Sequence, residues 1–437
     1  MNFKRILRET LATKVNKAFG LDIGDRSAEI IELKKFLKFS VVTYGRTELP
    51  PGVVENGIII DQPVLAEKIK NLLKEAKPKK VSTNKVTISL PESQLFLKSF
   101  EVDSKLKSGD LIKAITDKMS LSLLINLNKT YWDFIEKPLA DKTKKLITFI
   151  CIPKDIANSY VKFCNSIGLE VISLGTESLS LARIILKESS KNSLIIDIGS
   201  QATNLSFFDG DDEINMSTTI PVAGEQMTQA IKDGLKIENI QAEDLKVRFG
   251  FIESSENVVR PIILPMINDL SKEIKLAIDY YETIFKQKID DVFIIGGSAL
   301  LPAIADVLKV NINREVKIAV SGYDINLGSI TGKSNPFPLF ANVIGLGMLG
   351  ASGQFKDMNL LKKMPNSETN SVNKFDLLKL GYLGKINTVR IIIDNKYVMV
   401  MLIILIIVIL FVLLQLIRSF GFDMDSWIVR FFIFDFK

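Results

Sequence analysis

Two stretches, GLDIGDR at residues 20–26 and LIIDIGSQATN at residues 194–204, decide the fold, because each reads as strand, Asp-Ile-Gly turn and second strand. The first continues through a β-rich run to about residue 48, the helix LAEKIKNLLKEA at 65–76 and the strand KVTISL at 85–90. The second continues through an acidic turn and helical segments to DDVFIIGGSALLPAIADVL at 290–308, a buried strand that opens into a helix. The halves therefore read as internal duplicates of one α/β unit with a cleft between them.

Each turn places a carboxylate, Asp22 or Asp197, at a strand end, and a glycine, Gly24 or Gly199, where backbone N–H groups face a phosphate at close range. The carboxylates suit Mg²⁺ bound through water, since that ion prefers oxygen ligands and keeps much of its hydration shell. One such turn is equally an ordinary hairpin, but two copies about 175 residues apart, each between strands, point to a site. Gly296, Gly297 and Ser298 close a third strand, where small residues let a flat ligand or phosphate approach the following helix N-terminus.

The 437 residues carry 56 Lys and Arg against 50 Asp and Glu, a formal charge of +6, and no histidine. Triads, Cys-His pairs, histidine bases and His-ligated metals are thereby excluded. Cys151 and Cys164 are too few for a Cys₄ zinc site and read as buried thiols. No Lys/Arg block interleaved with aromatics marks a nucleic-acid surface, so no nucleic-acid partner is expected.

Residues 398–417, VMVMLIILIIVILFVLLQLI, hold twenty positions without a charge, enough as a helix for about 30 Å of hydrocarbon. Basic residues Lys379, Lys385, Arg390 and Lys396 precede this span, which places residues 1–397 in the cytoplasm and an aromatic tail at 418–437 on the far interface. The start of the chain lacks an uninterrupted apolar core, so no signal peptide is expected. Residues 1–18 read instead as a basic amphipathic helix that lies on an anionic membrane or docks on the protein.

The ordered set of two turns and a Gly-Gly-Ser strand end resembles the actin-like ATPase superfamily. More narrowly, it resembles the PilM family of type IV pilus assembly proteins, relatives of FtsA. The motifs are FGLDIG, VTISLP, residues 152–186, TIPVAGEQMTQAI at 219–231, AEDLK at 242–246 and NPFPLFANVIGLGMLGA at 335–351.

That resemblance implies an α/β, two-lobed actin-like (RNase H-like) fold with an inserted α+β subdomain, plus one C-terminal transmembrane helix from the span above. Lobe 1 takes residues 19–94 and 156–192, the 1C-like insert 95–155, and lobe 2 residues 193–353 with a return segment at 335–353. A cytoplasmic linker follows at 354–397. ATP or ADP with Mg²⁺ is the implied cofactor, with Asp22 and Asp197 toward the metal. The first phosphate loop is Asp22, Gly24, Asp25, Arg26 and Ser27, and the second is Asp197, Gly199, Ser200 and Gln201. Gly296, Gly297 and Ser298 face adenosine, with Gly224, Glu225, Glu243 and Lys246 as further cofactor-binding candidates. The implied role is a cytoplasmic collar, a homo-oligomeric ring at the bacterial inner membrane that binds a PilN-type tail among the pilus platform and motor components. The same fold also serves an FtsA-like tether for division filaments, and a structural scaffold with a vestigial cleft.

Two departures qualify the resemblance. Where the family shows D-I-G-S-S-S-x-K, this chain has Asp25, Arg26 and Glu29, and Asp25 sets a like charge beside a polyphosphate unless Mg²⁺ or Arg26 offsets it. Nucleotide binding is therefore expected ahead of appreciable hydrolysis. Inside the linker, KDMNLLKKMP at 356–365 holds Asn359, Leu360 and Leu361, which look like the I-N-L-L-P core of a PilN tail and precede a spacer and the span, as in a PilN. The spacer is long enough to return this motif to its own groove or a neighbour's.

Overall fold

The computed structural model describes residues 17–35, 38–122, 126–139, 141–186, 190–325, 337–353 and 358–364. The expected amphipathic helix (save Lys17 and Ala18), the linker beyond residue 364, the 398–417 span and the aromatic tail lie outside the described residues. Among the described residues no helix is long and apolar enough to cross a membrane.

The chain opens with β1 (Phe19–Ile23), β2 (Ser27–Lys35) and β3 (Phe39–Glu48), then a short ribbon of β4 (Val54–Glu55) and β5 (Ile58–Ile59), helix α1 (Gln62–Glu75) and β6 (Lys85–Leu90). Helix α1 begins where the Asp61 carboxylate accepts the Val64 N–H and a proline occupies the first turn, and it buries Leu65, Ile69 and Leu72 as one stripe. Next come β7 (Phe96–Asp103), α2 (Ser108–Ser122), β8 (Thr130–Pro138) and β9 (Lys144–Pro153), followed by α3 (Lys154–Ser166), β10 (Glu170–Thr176) and α4 (Glu177–Ile185). The second half runs β11 (Ser193–Ile198), β12 (Thr203–Phe208), β13 (Ile214–Ile220), α5 (Gly224–Leu235), α6 (Asn239–Phe249), α7 (Arg260–Phe285), β14 (Asp291–Ile295), α8 (Ile304–Ile312) and β15 (Val316–Ile318). Helix α9 (Phe337–Ser352) follows.

Among the described residues, one sheet has the order β10-β6-β1-β2-β3 and the other β15-β14-β11-β12-β13-β7-β9-β8. In both, an antiparallel meander adjoins parallel strands: β1 lies parallel to β6, and β11 parallel to β14. The inserted strands reach the second sheet where Lys98 of β7 faces Met216 of β13. Helix α2 covers β7 and β9 with a small core of its own around Ile115, Met119 and Phe149.

Two expectations are corrected here. The return segment, grouped on sequence with the second half, packs as α9 on β1, β2 and α4 of the first half. Its glycines explain this: a Cβ on Gly345 would lie 2.0 Å from the Ser180 carbonyl oxygen, and one on Gly20 of β1 would lie 2.7 Å from the Gly347 nitrogen. Without those side chains the helix closes onto the sheet, and an apolar surface on nearly every face is covered from several sides. The linker assigned to 354–397 also fails at Met358–Met364, where Met358, Leu360, Leu361 and Met364 are all buried in the first core.

Candidate functional site

The two Asp-Ile-Gly turns are built alike. Gly24 N–H donates to the Ser27 carbonyl at 2.9 Å, and Gly199 N–H donates to the Ala202 carbonyl at 3.0 Å. Strands β1, β6 and β10 run parallel, so Asp22, Glu92 and Glu177 collect at or just beyond their carboxyl ends. Asp197 and Gly296 occupy the corresponding ends of the parallel pair β11 and β14. The crevice beyond the carboxyl ends of parallel strands is where open α/β sheets bind ligands.

These carboxylates share a low-dielectric environment. Burial pushes Asp22 up to about 6, against hydrogen bonds from the Asn342 side chain and the Ile23 backbone. Asp197 rises to about 7, through burial first and then the charges of Asp22 and Glu92. Glu177 is pushed well up by burial and by Asp22, Asp197 and Glu92, and Glu92 is raised by burial against bonds from Ser217 and Ser178. Glu29, opposite Asp22 on β2, is raised to about 7 by burial and by Asp22, although Arg46 Nε donates to it at 2.7 Å. Among the described residues no lysine or arginine pairs with Asp22, Glu92, Glu177 or Asp197. Buried carboxylates in that condition either keep protons or require a cation.

Around them the remaining predicted residues separate into two groups. Gly224, Glu243, Lys246, Gly296 and Ser298 meet at the second turn. Gly224 N–H donates to the Gly199 carbonyl at 3.1 Å, Glu225 N–H donates to Ser200 O at 2.8 Å, and Ser298 Oγ donates to Gly199 O at 3.4 Å. Lys246 is buried and spends its ammonium on Gly224 O at 2.9 Å, Thr228 Oγ1 at 2.7 Å and Glu243 at 2.8 Å. It therefore clamps α5 to α6. Gly296 adopts φ +88°, and a Cβ there would lie 2.4 Å from Asp197 Oδ1, so only glycine leaves that carboxylate in place.

The first-turn residues behave differently. Asp25 Oδ1 accepts the Gly57 N–H at 2.9 Å, which commits it to the β4–β5 turn. Arg26 Nη2 donates to Glu225 Oε1 at 2.5 Å, and Gln201 Oε1 accepts the Asn56 N–H at 2.7 Å, so two ties join the halves. Ser27 begins β2 and closes the first turn through its carbonyl. Gly297 does not open an α-helix, as expected from sequence. A four-residue 3₁₀ turn runs from Gly297 to Leu300, and α8 starts only at Ile304. The helix N-terminus therefore stands one turn away from the Gly-Gly-Ser bend.

Glu92, Glu177 and Asn342 were missed on sequence, although a signal existed. Pro91-Glu92 and Thr176-Glu177 each follow a strand at the same end as Asp22, and Thr176 caps α4 by accepting the Leu179 N–H. Asn342 could not be placed without the packing of α9, which brings it to both Asp22 and Ser89 Oγ, the latter at 3.0 Å.

The sequence model of the family described as type IV pilus assembly protein PilM matches residues 20–335, more than two thirds of the chain. The chain belongs to the PilM family. Among solved structures, a PilM–PilN type IV pilus biogenesis complex is similar at a TM-score of 0.64 and 18% identity, covering 77% of this chain and 98% of that one. The ethanolamine utilization protein EutJ from Carboxydothermus hydrogenoformans has a TM-score of 0.48 at 13% identity, covering 80% and 99%. The fold is that of the actin-like ATPases. Among curated proteins, the cell division protein FtsA of Buchnera aphidicola subsp. Baizongia pistaciae (strain Bp) is 23% identical over 253 residues, 56% of this chain and 57% of that protein. The chain thus spans little more than half of that relative's length.

In this PilM-family chain the tail-like motif is also placed. Met358–Met364 lies along β10 and β8, with a 3₁₀ turn at Leu360–Lys363. Asn359 Oδ1 accepts the Leu174 N–H at 3.0 Å and the Leu361 N–H at 3.2 Å, and Lys363 Nζ lies 3.2 Å from Asp133. Cys151 and Cys164 are free and buried, and burial pushes both thiols up to about 12.

Proposed function

We propose that this chain is a nucleotide-binding scaffold of the inner-membrane platform that assembles a type IV pilus or a related type II secretion system. The observation that carries it is the set of buried carboxylates, Asp22 and Asp197 foremost, that no described cation neutralises. That donor set fits Mg²⁺, which takes one or two carboxylates and fills its remaining positions with water and phosphate oxygens. Asp22 and Asp197 would hold the ion, and the turns at Gly24–Ser27 and Gly199–Ala202 would flank the phosphates of ATP or ADP. Gly224 and Gly296–Ser298 would line the adenosine side, backed by Glu243 and Lys246.

When bound, the ion supplies the positive charge that lets neighbouring carboxylates ionise together. Burial first, and then its acidic neighbours, push the Glu177 carboxyl well above the ordinary glutamate range, while its Oε2 accepts the Glu92 N–H at 3.3 Å. Its place in the cluster supports binding of a cation and does not mark it as a base, so binding is expected ahead of rapid hydrolysis. Asp25, engaged by Gly57, is held by the ribbon turn, which weakens the like-charge objection to a polyphosphate.

Residues 398–417 would anchor the body to the cytoplasmic face of the bacterial inner membrane, where oligomerisation would build a ring. A PilN-type cytoplasmic tail is the partner this reading favours, supported by the likeness to a protein solved in complex with PilN. The relation to FtsA supports a second reading, a membrane tether for filaments, which nucleotide-dependent sedimentation would reveal. The proposal is tested by Mg²⁺-dependent nucleotide binding and its loss in Asp197→Ala.

A further inference from the structure

Strand β10 is the outer strand of the first sheet and β8 the outer strand of the second. An outer strand presents backbone groups that need a cover. Here the cover is Met358–Met364, which buries two leucines and two methionines and satisfies the Leu174 N–H through Asn359. The turn of this segment is closed largely by itself: Lys362 N–H donates to Asn359 O at 3.1 Å, Met364 N–H to Leu361 O at 3.2 Å, and Leu361 N–H to the Asn359 side chain. A knob whose internal bonds travel with it can leave its seat and be matched by another knob of the same shape.

We propose that the seat between β10 and β8 is an exchangeable peptide-docking groove that this chain plugs with its own residues 358–364. The competing occupant is a short segment of a separate polypeptide with the same chemistry: an Asn followed by two leucines, flanked by apolar side chains, with a cation two residues after the second leucine. Each element has a counterpart on the seat. The Asn carbonyl answers the Leu174 N–H, the leucines fill the apolar seam, and the cation answers Asp133. The inference rests on the reading of the chain as a partner-binding scaffold, and it adds that the partner site is closed in the resting molecule. A tether holds the plug at an effective concentration on the order of millimolar. With an intrinsic Kd of the plug at or below about 100 µM, any outside peptide is therefore weakened at least tenfold by competition.

The test uses the full chain in detergent and a fluorescein-labelled peptide, KDMNLLKKMP, followed by anisotropy. The double variant Leu360→Asp/Leu361→Asp empties the seat and is expected to bind the peptide at least tenfold more tightly than the unaltered chain. Adding Asp133→Lys to that variant is expected to weaken binding severalfold. Asn359→Ala, a milder change that removes the acceptor shared by the Leu174 and Leu361 N–H groups and keeps both leucines, is expected to tighten binding by a smaller factor and serves if the double variant misfolds. Equal binding by altered and unaltered chains overturns the proposal. Absence of binding by a variant that melts like the unaltered chain also overturns it, because the segment is then a fixed part of the core. A concentration-dependent oligomer abolished by Leu360→Asp/Leu361→Asp overturns the plug in favour of a seat filled by a second copy. Nucleotide binding measured on the same samples separates the two readings: its loss with peptide exchange intact counts against the nucleotide site alone, and the converse against the plug alone.

Discussion

Arg26 Nη2 donates to Glu225 Oε1 at 2.5 Å, joining the first Asp-Ile-Gly turn to the start of α5 beside the second. The two side chains are 26% and 41% exposed, so the pair contributes no more than about 1 kcal/mol to stability. Its consequence lies in where the guanidinium points. Glu225→Gln releases Arg26 beside the proposed phosphate position and is expected to tighten a fluorescent nucleotide severalfold at low salt, with little change in melting temperature. Arg26→Ala is expected to weaken it, and titration at two ionic strengths checks both.

Acidity offers a second handle. Asp22 and Asp197, ordinarily near 3.8, stand at about 6 and about 7 in the fold, so between those limits the folded chain binds more protons than the unfolded one. Stability from these groups is therefore full only below their ordinary value of 3.8, declines as pH rises above it, and is lost once pH has passed about 6 for Asp22 and about 7 for Asp197. Without Mg²⁺ and nucleotide, melting temperature is expected to fall between pH 5 and pH 8. Asp197→Asn, which cannot ionise, should flatten that slope in a thermal-shift series.

Lys246 gives a prediction about architecture. Its ammonium satisfies Gly224 O, Thr228 Oγ1 and Glu243 in a buried position. Lys246→Met keeps most of the volume but removes the ammonium and leaves the single Thr228 hydroxyl to serve both Gly224 O and Glu243, which is expected to cost about 2 kcal/mol in urea unfolding. Lys246→Arg is not a rescue, because a planar fork does not fit three converging acceptors.

The close seating of α9 predicts a contrast between two glycines. Gly345→Ala drives a methyl to 2.0 Å from Ser180 O, a backbone atom that cannot yield cheaply, and is expected to destabilise by about 2–3 kcal/mol. Gly109→Ala adds a methyl with nothing within 4 Å, in the first turn of α2, and is expected to change stability by less than about 1 kcal/mol. Thermal melts of the two variants side by side decide it.

What the sequence made legible follows from periodicity and turn chemistry. Both hairpins were readable because Asp22-Ile23-Gly24 and Asp197-Ile198-Gly199 each interrupt an apolar run with a turn, and local chemistry alone dictates that event. The partnership of α9 with the first sheet was not readable, because it depends on Gly345 and Gly20 meeting backbone that is distant in sequence. Local pattern likewise let Gly297 pass for a helix start, whereas Ala303 at φ +62° delays the helix to Ile304. The charge at Asp25 was visible, but its engagement by Gly57 was a long-range fact. Asn359, Leu360 and Leu361 were recognisable as a motif, while their seat on β10 and β8 emerged only with the fold.

The central claim is a nucleotide site between the two turns, and equilibrium binding tests it most directly. A fluorescent ATP analogue is titrated into the full chain with and without Mg²⁺, and into Asp197→Ala. Saturable binding that needs Mg²⁺ and is lost in the variant is the predicted result. Absence of saturable binding by the unaltered, folded chain would contradict the account and leave a scaffold whose cleft holds its carboxylates protonated.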